Sequence, residues 1–226
     1  MFSELLYSKF KSNKLLQRTI SASVFVPIIL FFVYIGGIAY SMMNFIFLCI
    51  CMYELIKMTK VSKQHWQRYF ILTTIVILSF ICNMIYIRQY GFKITLFLFL
   101  IVWGTDTSAY FFGIIIGGKK LALKFSPNKT WAGFLGALFC SGIIGYIAHK
   151  TSFVSIHNSC IQTVYSSIFI SFCSQCGDLA ESALKRYFEV KDSGNCLPGH
   201  GGLLDRFDGL SFASIAMFFI LLIFSC

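Results

Sequence analysis

"FKITLFLFLIVWGTDTSAYFFGIIIG", residues 92–117, is an apolar run long enough to cross a bilayer, and it carries one aspartate, Asp106, well inside. About 20 predominantly apolar residues span the hydrocarbon core as an α-helix. An acid at that depth is costly and marks a functional site by default. The run therefore predicts a membrane helix and gives it a reason to hold a charge. The plainer reading makes Thr105, Asp106, Thr107 and Ser108 a small polar patch that joins helices.

Similar runs occur at 19–40, 41–56, 69–87, 131–149, 161–177 and 207–225. The run 41–56 is short enough to be re-entrant. The expected fold is all-α: a polytopic membrane helical bundle of about seven transmembrane helices with a cytoplasmic N-terminus. Residues 1–100 would supply N-terminal membrane helices. Residues 101–226 would form the catalytic helices, with a cytoplasmic loop at 178–206, in one membrane unit. The chain is 57% hydrophobic and 12% charged, against about 25% charged in soluble domains. That composition excludes an ordinary soluble domain. The segment 19–40 is too long and bulky for a signal-peptide core, so it reads as a retained first span.

The basic residues give the orientation. Four segments carry four each: Lys9, Lys11, Lys14 and Arg18; Lys57, Lys60, Lys63 and Arg68; Lys119, Lys120, Lys124 and Lys129; Lys185, Arg186, Lys191 and Arg206. The opposite side has Arg88, Lys93 and Lys150. The bias places the first set in the cytoplasm. A net charge of +10 set beside apolar runs suits anionic headgroups better than nucleic acid. The cysteines fall largely within apolar runs and read as small hydrophobes. "CSQC" at 173–176 lacks the further ligands a structural zinc needs.

Six of the nine acids lie between 178 and 208. In "GDLAESALKR", 177–186, Asp178, Glu181, Ser182 and Lys185 recur at helical spacing and share a face. Such a carboxylate face suits Mg²⁺, a hard cation that keeps waters for phosphate exchange. It also suits a solvated helix with internal Glu–Lys pairs. In "LPGHGGLLDRFDG", 197–209, Asp205 and Asp208 are three apart, with Arg206 between them and His200, Gly201 and Gly202 before them. Glycines let backbone N–H groups approach a phosphate. One aspartate there could simply cap a helix; two are harder to explain so. "SPNKTWAG", 126–133, offers Ser126, Asn128, Lys129 and Thr130 to a phosphate, or is a polar loop ending at an interfacial Trp131.

These motifs together resemble the phosphatidate cytidylyltransferase (CDP-diacylglycerol synthase) family. "SALKRYFEVKDSGNCLPGHGGLLDRFD", Ser182 to Asp208, fits the family signature of a Ser, a Lys-Arg pair, a Lys-Asp pair and a His-Gly-Gly…Asp-Arg…Asp run. The likeness extends through "SQCGDLAES", "SPNKTWAG" and "DTSAYFFG", and covers roughly 103–209. Ala132 stands where many members have Glu. The resemblance implies condensation of CTP with phosphatidic acid to CDP-diacylglycerol and pyrophosphate. It implies Mg²⁺, with room for a monovalent cation, on Asp178, Asp205, Asp208 and Glu181. Asp178, Asp205, Asp208, Lys185 and Arg206 would be catalytic. Ser126, Lys129, Thr130, Ser182, Arg186, Lys191, His200, Gly201, Gly202 and Asp106 would bind substrate phosphates or line the cavity. Membrane lipid is the expected surrounding, a homodimer is compatible, and nucleic acid is not a partner. A bacterial inner membrane, with the site facing the cytoplasm, is the expected location. A CDP-alcohol phosphotransferase fits less well, because no further Gly…Asp…Asp run follows Asp208. A transporter would spread its acids along the spans instead.

Overall fold

The apolar runs do become helices. The computed structural model describes residues 21, 23–59, 66–154, 156, 159–190, 192–194, 196 and 201–224. Among these residues there are seven helices: α1 (Ser23–Ile35), α2 (Gly37–Thr59), α3 (Trp66–Gln89), α4 (Phe92–Ile115), α5 (Trp131–Lys150), α6 (Cys160–Tyr187) and α7 (Leu204–Phe224). Five of them, α2, α3, α4, α5 and α7, are long and apolar enough to cross a membrane. Large side chains such as Ile38, Ile115 and Phe139 are exposed on the outside, as an integral membrane protein requires.

Three features differ from the sequence reading. The break between the first two helices falls at Gly36 rather than near residue 40, and α2 is a full 23-residue helix instead of a short run. Arg88, at the end of α3, fixes this break. Its guanidinium donates to the carbonyls of Val33 and Tyr34 at 2.6 and 3.0 Å, satisfying end-of-helix acceptors that have no helical partner. Second, the fold is not purely α. A two-stranded antiparallel hairpin, β1 (Lys120–Ala122) and β2 (Ser126–Thr130), joins α4 to α5, with Lys120 opposite Thr130 and Ala122 opposite Ser126. Third, α6 runs for 28 residues, past the expected end at 177, but is too polar for the spanning set.

The polarity of α6 is explained by its neighbours. It packs against α4, α5 and α7, and its Thr163, Ser167, Ser171, Ser174 and Gln175 are buried. Thr105 of α4 donates to Ser171 at 2.8 Å. Small hydroxylated residues let membrane helices approach closely and satisfy one another. Helix α7 packs against α3, α4 and α6. Its Phe207 is gripped by Phe25 of α1, Phe47 of α2 and Phe80 of α3, with ring centroids 5.2–6.4 Å away.

Contacts gather several helix ends at one place. Glu54, near the C-terminal end of α2, meets Leu203 and Leu204 at the start of α7. Arg186, near the C-terminal end of α6, reaches Phe125 of the hairpin, and the hairpin leads from α4 into α5. Tyr69 of α3 stacks there on Tyr187 of α6, with centroids 4.1 Å apart.

Candidate active site

The polar motifs converge at this end. The crossing of α6 and α7 is made by two glycines. A side chain at Gly177 would strike the Asp208 carbonyl, and one at Gly209 would strike Asp178 Oδ1. Without Cβ atoms the two helices close up, and Asp178 and Asp208 become neighbours across the contact. The charge of Asp208 also acts on Asp106 and Glu181. Asp208 of α7 is thus within electrostatic reach of Asp106 on α4 and of Asp178 and Glu181 on α6.

Part of this charge is neutralised. Lys129 of β2 donates to Asp178 Oδ2 at 3.0 Å, so the hairpin delivers an ammonium to the acids. Asp106 lies within electrostatic reach of Lys129 and Arg206. Lys185 donates to Glu181 Oε2 at 3.2 Å and to Asp205 Oδ1 at 2.8 Å. It sits beyond the apolar stretch of α6. Burial alone would lower its pKa, but the carboxylates of Glu181 and Asp205 outweigh that and hold it above the ordinary lysine value. Glu181 Oε1 is buried with no hydrogen-bond partner, and among the described residues no cation pairs with Asp208.

The two aspartates of α7 differ. Asp205 Oδ1 takes the Lys185 bond, and Oδ2 accepts from the backbone N–H groups of Ser193 and Gly202, each at 2.9 Å. Asp208 Oδ1 accepts from Gly209 N–H, at 2.8 Å. Asp205 is thus committed to the preceding loop, while Asp208 faces the other acids.

Other expected residues take definite places. Thr130 caps α5: its hydroxyl oxygen accepts from Gly133 N–H at 3.1 Å. Arg186 reaches the Phe125 carbonyl of the hairpin at 3.5 Å. Ser126 opens β2, opposite Ala122. Ser182 is half-buried on α6, and Arg206 is exposed on α7. Gly201 has φ +88° and borders Asp205. Lys191 and His200 lie outside the described residues.

Two separate cavities are bordered by the acids. One, of about 550 Å³, is bounded by α4, the hairpin, α5 and α6, and Asp106, Lys120, Asn128, Lys129, Thr130 and Asp178 supply its polar wall. The other, of about 210 Å³, is an apolar groove between α3, α6 and α7, lined by Val76, Ile77, Phe80 and Phe212, with Glu181 and Asp208 at its polar end.

The sequence reading overlooked Glu54. It is 2% exposed and accepts from Ser193, Leu203 and Leu204. The rule that singled out Asp106, an acid within an apolar run, applies equally to Glu54 in the run 41–56.

The description "Cytidylyltransferase family" belongs to a family model that matches residues 64–224. A protein of Staphylococcus epidermidis named phosphatidate cytidylyltransferase is 48% identical over 125 residues, which is 55% of this chain and 47% of that protein. Proteins of the same name from Bacillus subtilis and Brucella abortus are 42% and 45% identical over 137 and 138 residues, 61% of this chain and 50% of each of them. The chain spans about half the length of these curated relatives. The match includes the Asp178–Asp208 crossing, the Lys129 hairpin and the loop that Asp205 holds, and the chain belongs to the cytidylyltransferase family.

Proposed function

We propose that the chain is a phosphatidate cytidylyltransferase, condensing CTP with phosphatidic acid to CDP-diacylglycerol and pyrophosphate for phospholipid biosynthesis. One observation carries the reading. Acids on neighbouring turns of α6 and α7 border two different cavities: Asp178, with Lys129, a polar one, and Glu181 and Asp208 an apolar groove. A reaction that joins a water-soluble nucleotide to a lipid needs a site for each. The names of the relatives point the same way.

In this reading the triphosphate occupies the polar cavity and an acyl chain lies along the groove. A phosphate oxygen of the lipid attacks the α-phosphorus of CTP. The new P–O bond forms as the bond to the β-phosphate breaks, and pyrophosphate leaves with the electron pair. No covalent protein intermediate is required; positioning and charge neutralisation suffice. Lys129, Arg186, Arg206 and Lys191 meet phosphate charge, and His200 donates to pyrophosphate. Lys185 keeps the loop and the acids in register.

Mg²⁺ would need the substrate to complete its coordination, since among the described residues no three acid, histidine or cysteine side chains are grouped so as to hold a metal ion. Mg²⁺ is commonly held by one or two carboxylates plus substrate phosphates. Asp178 and Asp208 would hold it, with the unpartnered Glu181 Oε1 beside them. When bound, it would offset charge on the transferring phosphate and on pyrophosphate. The basic-residue bias favours a site on the cytoplasmic face, the bacterial relatives suit a bacterial inner membrane, and a homodimer is compatible with the exposed apolar faces.

The test is direct. Protein purified in detergent is given CTP, phosphatidic acid and Mg²⁺. CDP-diacylglycerol should form, stop on chelation and resume when Mg²⁺ is returned. Absence of product with Mg²⁺ present would overturn the assignment.

A further inference from the structure

We propose that Glu54 is a positioning residue for the loop before α7, supplied by a helix outside the matched region 64–224. Its side chain lies at the site end of α2. Oε1 accepts from Leu203 N–H at 3.0 Å. Oε2 accepts from Leu204 N–H at 2.9 Å and from the Ser193 hydroxyl at 3.2 Å. A buried carboxylate without such partners would be strongly destabilising. Here three donors and the positive end of the α7 dipole compensate it.

The loop is shaped around this group. A Cβ on Gly194 or Gly202 would come within 2.6–2.7 Å of a Glu54 oxygen. Asp205 ties the same two stems from the other side, through the N–H groups of Ser193 and Gly202. Two carboxylates from α2 and α7 therefore hold Ser193 and the 202–204 stretch from both sides. A helix start held in place beforehand gives up less freedom when the groups it carries meet a ligand. Glu54 touches no substrate in this account. It acts through the loop and through the start of α7, and thereby through Asp208.

The kinetic part of the proposal rests on the cytidylyltransferase reading; the structural part does not. The experiment compares wild type with Glu54→Gln, which keeps the size but turns one oxygen into a donor facing other donors. Hydrogen–deuterium exchange should quicken within 192–204 and stay unchanged along α6 and the rest of α7. kcat should fall and the KM for CTP should rise, lowering kcat/KM about tenfold to a hundredfold, while the KM for phosphatidic acid holds. Unchanged exchange in 192–204 would overturn the proposal. So would a fall in kcat with both KM values unchanged and exchange raised throughout, since that describes a merely unstable fold. A wild type inactive toward CTP and phosphatidic acid would sink the assigned function and leave the exchange comparison to decide Glu54. If Glu54→Gln does not fold, Ser193→Ala removes a single bond of the clamp. It should move exchange and the CTP KM in the same directions by a smaller factor, and no movement in either would overturn the proposal.

Discussion

Asp205 and Asp208 are one helical turn apart, yet they live in different chemical settings. Asp205 has an ammonium and two backbone N–H donors on its oxygens. Asp208 has one backbone N–H and faces Asp178, Glu181 and Asp106. A carboxylate with its lone pairs occupied stabilises what it holds. A carboxylate held among like charges raises the energy of the folded state and invites a cation. The first arrangement builds a loop and the second leaves electrostatic potential for chemistry. Helical spacing makes the two residues look equivalent; the difference comes from what α6 and the loop present to each.

The strongest way to break this contrast is Asp208→Asn. Asparagine keeps an acceptor for Gly209 N–H and removes a charge from the crowd. Turnover should fall on the order of 10³-fold, the scale of losing a preorganised electrostatic group. The unfolding temperature should hold or rise, because repulsion is relieved. Thermal unfolding in detergent, read beside CDP-diacylglycerol formation, checks both. A clear loss of stability would place Asp208 with Asp205 as a structural residue.

Asp205→Asn should show the opposite balance. Lys185 loses one of two anionic partners, and the new amide faces the Ser193 and Gly202 donors. The expected cost is about 1–3 kcal/mol of stability, or roughly 2–4 °C in unfolding temperature per kcal/mol at this chain length. Turnover should drop by less than in Asp208→Asn. Equal loss of turnover at an unchanged unfolding temperature would return Asp205 to the metal-binding role that sequence reasoning gives it. Lys185→Met sharpens the point. It strands Glu181 and Asp205 together, and breaking a largely buried pair costs about 3 kcal/mol or more, so it should destabilise at least as much as Asp205→Asn.

The helices were legible because the bilayer demands long apolar runs, and such runs are hard to disguise. The break at Gly36 was not, since hydropathy continues across it and Arg88, which fixes it, is more than fifty residues away. The hairpin was hidden because "SPNKTW" has the composition of a polar loop; its strand character comes from pairing with Lys120–Ala122. The acids and lysines of the site were legible by type and spacing. Their roles were not, because neutralisation depends on contacts between elements: Lys129 meets Asp178 across 49 residues of sequence. Glu54 was the extreme case, with partners 139 to 150 residues downstream.

The same contrast between a structural and a chemical residue runs through the adjacent pair Lys129 and Thr130, and here the expected effect is smallest. Both residues are candidate phosphate ligands by sequence. In the structure the Lys129 ammonium reaches Asp178 at the edge of the polar cavity, while the Thr130 oxygen is taken up in capping α5. Thr130→Ala should cost about 1 kcal/mol, the usual worth of an N-cap, and lower the unfolding temperature by roughly 2–4 °C, leaving the KM for CTP unchanged. Lys129→Ala should instead raise that KM and remove the counter-charge of Asp178. A raised KM for CTP in Thr130→Ala at an unchanged unfolding temperature would make the hydroxyl a phosphate donor, and would move the boundary between scaffold and chemistry one residue along the hairpin.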